Sequence, residues 1–176
     1  QNLYSNNILT SYRQLSAYDV VGLFEGLNLY NTLSYNFKNV LAMSFAGVDL
    51  SWGRQQPDVL YGAYYDDLVE RVISQRTNET SDMFSAAIRG SQGFDWRRLK
   101  ISLSASYSHY ESPLLVQNTV LRYSGDSFGV NGDISLTPFK WLSVSYEGKY
   151  YQSASRQNGF DRMPWIRTLT NNASLD

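Results

Sequence analysis

The chain of 176 residues contains no cysteine and a single histidine, His109. No disulfide framework and no thiolate metal site is available, and a His-rich metal centre is excluded as well, so any metal has to be held by oxygens. Charge is scarce: Asp, Glu, Lys and Arg make up 18% of the residues, against about 25% in ordinary soluble domains. The 15 basic and 16 acidic side chains nearly cancel, which gives no reason to expect a nucleic-acid partner or a polybasic membrane patch. No apolar run approaches the roughly 18 residues of a membrane-spanning helix. The opening Gln1-Asn2-Leu3-Tyr4 is not a charged-then-apolar leader. That absence does not argue for the cytoplasm, because an exported protein loses its leader.

Aromatic and small polar residues take up the space left by charge, with 14 tyrosines and aromatics at 15%. Their arrangement is clearest in Leu99 to Tyr110. Successive side chains of a strand point to opposite faces, so Leu99, Ile101, Leu103, Ala105 and Tyr107 fall on one side and Lys100, Ser102, Ser104, Ser106 and Ser108 on the other. A transmembrane β-strand needs about 9–11 residues in such alternation. Leu27 to Lys38 repeats the pattern, with Leu27, Leu29, Leu33, Tyr35 and Phe37 opposite Asn28, Thr32, Ser34 and Asn36. Leu142, Val144, Tyr146 and Tyr150 oppose Ser143, Ser145, Glu147 and Lys149 in the same way.

Weaker strands fill the remainder: residues 1–12, 40–54, 83–94, 116–136 and 167–176. Two of them change apolar parity, across Ala46-Gly47 and across Ser124-Gly125-Asp126, and each change predicts a β-bulge. Leu68, Val69, Val72 and Ile73 sit at helical spacing behind Asp66 and Asp67, so a short helix competes there with strand or loop. Short turns are expected near Asn39, Asp95 and Phe139, and long loops at 13–25, 55–67, 111–115 and 156–162. All short turns then lie at one end of the sheet and all long loops at the other, as in outer-membrane barrels.

The expected architecture is all-β, an antiparallel up-and-down meander of about eight strands, forming a transmembrane β-barrel or a segment of a larger one. Residues 1–176 read as one barrel segment that begins and ends within a strand. Ile101, Leu103, Leu142 and Val144 are the expected lipid-facing residues. Tyr35, Phe37, Phe94, Trp96, Phe139 and Trp141 crowd the short-turn end, where amphipathic rings form an interfacial girdle. A soluble lipocalin-like barrel around a small apolar ligand is the alternative. Its outer surface should carry about 25–35% charged residues, whereas the polar face here is mainly Ser, Asn, Thr and Gly.

Asn7-Ile8-Leu9-Thr10-Ser11-Tyr12-Arg13, Tyr35-Asn36-Phe37-Lys38-Asn39, Ile73-Ser74-Gln75-Arg76-Thr77-Asn78, Ser102-Leu103-Ser104-Ala105-Ser106-Tyr107-Ser108 and Pro138-Phe139-Lys140-Trp141-Leu142-Ser143-Val144 together resemble the barrel region of Bacteroidetes-type TonB-dependent-receptor-like outer-membrane proteins. The resemblance implies a larger barrel of about 22 strands closed around a plug. It also implies solute uptake across the bacterial outer membrane, driven by an energy-coupling inner-membrane complex. The implied partners are outer-membrane lipid and the remaining strands and plug of the parent protein. In isolation the open edges predict self-association.

No catalytic, metal or cofactor site is expected. Asp66, Asp67 and Glu70 lack the spacing and glycine of a calcium loop and read as a solvated face. His109 has Ser108 beside it on the opposite face, not within a nucleophilic triad. Arg97 and Arg98 beside a turn suit either lipid headgroups or water.

Overall fold

The structure, a computed structural model, describes residues 7–10, 13–15, 26–66, 69–158, 160 and 163–175. They form one sheet of 11 strands. In chain order these are β1 (Asn7–Thr10), β2 (Arg13–Leu15), β3 (Gly26–Asn39), β4 (Ser44–Pro57), β5 (Val59–Asp66), β6 (Val69–Arg76), β7 (Ser81–Phe94), β8 (Leu99–Val116), β9 (Thr119–Phe139), β10 (Leu142–Gln157) and β11 (Ile166–Leu175). A 3-10 turn, Trp96–Arg98, joins β7 to β8.

The body of the sheet runs β3-β4-β7-β8-β9-β10-β11, and every pairing along it is antiparallel. Alternating apolar and polar residues make a ribbon with two unlike faces, and consecutive ribbons joined by tight turns keep like faces together. Connections at 40–43, 95–98 and 140–141 all fall at one end. Among the described residues the sheet does not close, since β3 pairs with β4 alone and β11 with β10 alone.

The opposite end differs from the expected loops. Residues 59–66 and 69–76 form the β5–β6 hairpin, an extension of β4 and β7 past a bend at Asp58. The short helix is not formed: Val69, Val72 and Ile73 lie in β6, while Asp67 and Leu68 are outside the described residues. Residues 111–115 are strand too, and the chain reverses only at Gln117-Asn118, both with positive φ. Two consecutive left-handed residues make the two-residue turn whose twist matches a hairpin. The predicted loop at 13–25 falls largely outside the described residues, as do Tyr4 and Tyr12, although residues 13–15 are strand β2. The connection expected at 156–162 lies slightly later, with β10 continuing to Gln157 and β11 beginning at Ile166.

Neither expected bulge occurs. Ala46 and Gly47 pair in unbroken register with β3 and β7, and Ser124, Gly125 and Asp126 do so with β8 and β10. The parity changes are instead aromatic rings on the polar face. Phe45 lies beneath the Arg89 guanidinium, 5.7 Å from its ring centroid. Tyr123 packs against Tyr110 at 5.7 Å, and Tyr110 in turn covers Gly125, where a Cβ would meet its ring. A register shift does occur where β9 meets β10 beside Pro138, between Leu142 and Val144.

The buried apolar cluster lies at the end of the sheet away from the tight turns. Leu60, Ile73 and Leu115, flanked by Tyr64 and Val120, pack where the β5–β6 hairpin meets the far end of β8 and β9. β5 joins β8 there in parallel through Gly62–Leu115 and Ala63–Val116. Gly62 is required at that crossing, because a Cβ on it would run into the Leu115 carbonyl.

Candidate membrane-facing surface

The pairing registers place Leu29, Leu33, Tyr35 and Phe37 of β3 on the same face as Ala46, Val48, Leu50 and Trp52 of β4. Phe84, Ala86, Ile88 and Gly90 of β7 and Ile101, Leu103, Ala105 and Tyr107 of β8 continue it. Phe128, Val130, Gly132, Ile134 and Leu136 of β9 follow, then Val144, Tyr146, Gly148 and Tyr150 of β10. On β8 this stretch runs from Leu99 to Tyr107 and on β9 from Phe128 to Leu136, nine residues in each case. Between those limits the face carries no Asp, Glu, Lys or Arg on any of these strands.

The other face carries the charge. Lys38, Asp49, Arg89, Lys100, Asp133, Glu147 and Lys149 all fall on it by register. Arg89 bridges Asp49 at 2.9 Å and donates to Asn36 Oδ1 at 3.0 Å, with Gly47 leaving the space that both side chains occupy. Lys149 pairs with Glu147 at 2.6 Å. Directly opposed serines bond across three strand pairs: Ser51 with Ser85 at 2.6 Å, Ser108 with Ser127 at 2.7 Å and Ser145 with Ser174 at 2.7 Å. Cross-strand pairs of this kind fix register as well as satisfying polar groups.

Exposure runs against hydropathy. On β4 the apolar-face residues Ala46, Val48, Leu50 and Trp52 are exposed, whereas Phe45, Gly47, Asp49, Ser51 and Gly53 on the reverse are covered or half-covered. Ile101 and Leu103 are exposed, at 40% and 60%, and Leu142 and Val144 are half-buried. Ile101, Leu103 and Val144 share the apolar face by register, and Leu142 lies beyond the shift beside Val144. Soluble monomers rarely expose contiguous apolar patches beyond a few hundred Å², and this one extends across the sheet.

The expected aromatics gather at the tight-turn end. Phe37 lies near the end of β3, Phe94 and Phe139 close β7 and β9, and Trp96 and Trp141 occupy the turns themselves. Phe139 and Trp141 stack at 5.4 Å with an interplanar angle of 5°. Tyr35 stands deeper, opposite Val48.

A second aromatic row bounds the apolar face at its other end: Trp52, Phe84, Tyr107, Phe128 and Tyr150. Beyond it charge returns at once. Arg54 bonds Asp82 at 2.7 Å and lies over Trp52 at 5.5 Å. His109 Nδ1 meets Asp126 Oδ1 at 2.8 Å, and Tyr107 donates to the same oxygen. Arg122 bridges Glu79 and Glu111, each at 2.7 Å. The sequence signal for this row is its shared parity with the apolar residues, hidden because the strands continue well past it.

His109 thus has its hydrogen-bonding partner in Asp126, at the surface. Asp66 closes β5 opposite Val69, Glu70 pairs with Tyr65, and Arg98 takes positive φ in its turn. The Arg97 side chain lies outside the described residues. Among the described residues, no helix is long and apolar enough to cross a membrane.

Comparison with family models, with curated proteins and with solved structures finds no match to this chain.

Proposed function

We propose that this chain is part of a transmembrane β-barrel of the bacterial outer membrane, within a TonB-dependent-receptor-like transport protein that passes a solute across that membrane. The observation that carries the membrane assignment is the charge-free band, bounded by an aromatic row at each end and backed by a face rich in serine, asparagine and ion pairs. Hydrocarbon does not hydrate charge, and the first face carries none; its amides are Asn31 opposite Trp52, Gln92 opposite Ile101 and Asn171 opposite Gly148, the last accepting from the Tyr146 hydroxyl, so lipid lies against it while water fills the enclosed side. The transport assignment rests on the sequence resemblance. The partners on this reading are outer-membrane lipid, further strands and a plug of the parent protein, and an inner-membrane energy-coupling complex.

Arginine substitutions at Ile101, Leu103 and Val144 test the membrane assignment. Each should weaken folding into lipid vesicles by about 2–4 kcal/mol near the midplane and less toward either rim. Equal damage in detergent-free buffer, with a monodisperse wild-type protein, contradicts it and favours a soluble barrel whose apolar side chains face a ligand.

A further inference from the structure

The strand directions constrain what completes the sheet. Each step along β3-β4-β7-β8-β9-β10-β11 reverses direction, and there are six such steps. β3 and β11 therefore run the same way, both starting at the long-hairpin end and finishing at the tight-turn end. Among the described residues both present open ladders, of 14 and 10 residues. Unpaired backbone groups are not sustained in hydrocarbon, and bacterial single-chain barrels close with an even number of antiparallel strands.

We propose that the β3 and β11 edges are not each other's partners and that an odd number of further strands stands between them. This rests on the barrel reading above. Direct β3–β11 closure, within one chain or head to tail between copies, would need a parallel seam. The strands that fit alternate as these edges do. Beside β11 they place apolar residues level with Leu169, Ala173 and Leu175 and small polar ones level with Thr168, Thr170 and Asn172, Asn171 being the one polar side chain between them on the apolar side. Beside β3 they match Leu29, Leu33 and Phe37 against Thr32, Ser34 and Asn36. An isolated chain, offered only copies of itself, satisfies its edges antiparallel by joining β3 to β3 and β11 to β11. That arrangement inverts one copy relative to the other and suits solution, not a membrane with one orientation.

Absence of native cysteine makes disulfide mapping direct. Full-length chain carrying Leu33→Cys or Asn171→Cys alone, and the double variants pairing Leu33→Cys or Phe37→Cys with Leu169→Cys or Asn171→Cys, are oxidised in buffer and in lipid vesicles. The proposal predicts disulfide dimers from the single variants in buffer. It predicts no intramolecular disulfide and no extended head-to-tail oligomer from the doubles in either medium. A β3–β11 disulfide in good yield overturns it, as does a monomer in which no variant cross-links. Vesicle insertion is scored separately by protease protection, so a β3–β11 disulfide in a protected protein removes this inference and leaves the membrane assignment standing. An unprotected protein with homotypic dimers does the reverse.

Discussion

Single residues decide which face of the sheet carries charge. Leu103 and Ser104 are neighbours in sequence, yet their side chains meet different surroundings, and the same division repeats along every long strand. Just outside the apolar band, Arg54 donates two hydrogen bonds to Asp82, at 2.7 and 3.3 Å. Those bonds, aided by the charges of Arg54 and Arg122, hold the Asp82 carboxyl below its ordinary range, with desolvation opposing them. A carboxylate with a lowered folded-state pKa contributes stability that is present above its unfolded value and is lost as pH falls through the folded one. Both side chains are partly exposed, so salt screens the effect. NMR titration should place Asp82 below the usual value near 3.9, and Arg54→Gln should return it there and flatten the acid dependence of stability. An unchanged Asp82 titration in the variant would show that the pair is not formed.

At the scale of elements, the long-hairpin end is built and not merely connecting. The β5–β6 hairpin is fastened to β8 by a short parallel seam and by the Gln117 amide, which donates to the Ala63 carbonyl at 3.0 Å. Gly62→Ala should detach it, since the added carbon has no space beside Leu115. Hydrogen exchange at Gln117 should then quicken by an order of magnitude or more, roughly the effect of losing 1.4 kcal/mol of local protection, while amides of Ile101 to Tyr107 keep theirs. Uniform acceleration across both regions would mean that the hairpin and the sheet form one cooperative unit.

The strands most visible in the sequence are those with one apolar and one small polar face, notably β8 from Leu99 to Tyr110, β3 and β10. The hairpin ends are less legible for a physical reason. Once outside the apolar band a strand has no need to alternate, and Pro57, Asp58, Glu111 and Pro113 then read as loop. Pro113 is accommodated because it lies between the end of β7 pairing at Glu111 and the start of β5 pairing at Leu115, where β8 has one neighbour only. The parity changes at Phe45 and Tyr123 misread as bulges for a related reason: an aromatic ring laid along the polar face, over Gly125 in the case of Tyr110, mimics a slipped register.

At the scale of the whole molecule, the two faces of the sheet differ in charge from β3 to β10. Among the described residues the sheet is open, its apolar face is uncharged over nine residues of β8 with Ile101, Leu103 and Tyr107 exposed, and its polar face is stitched by serine pairs and ion pairs. The aromatic residues at the tight-turn end are legible from sequence; the second row, Trp52 to Tyr150, emerges only when register aligns residues far apart in the chain. The direct measurement is a spin-label scan of single cysteines from Lys100 to Ser108 in lipid vesicles, reading collisions with oxygen, which concentrates in hydrocarbon, and with a water-soluble nickel chelate. The proposed placement of the apolar face in lipid predicts a period of two, with oxygen favoured at 101, 103, 105 and 107 and nickel at 100, 102, 104, 106 and 108. The opposite phase, or odd positions shielded from both reagents, would contradict it.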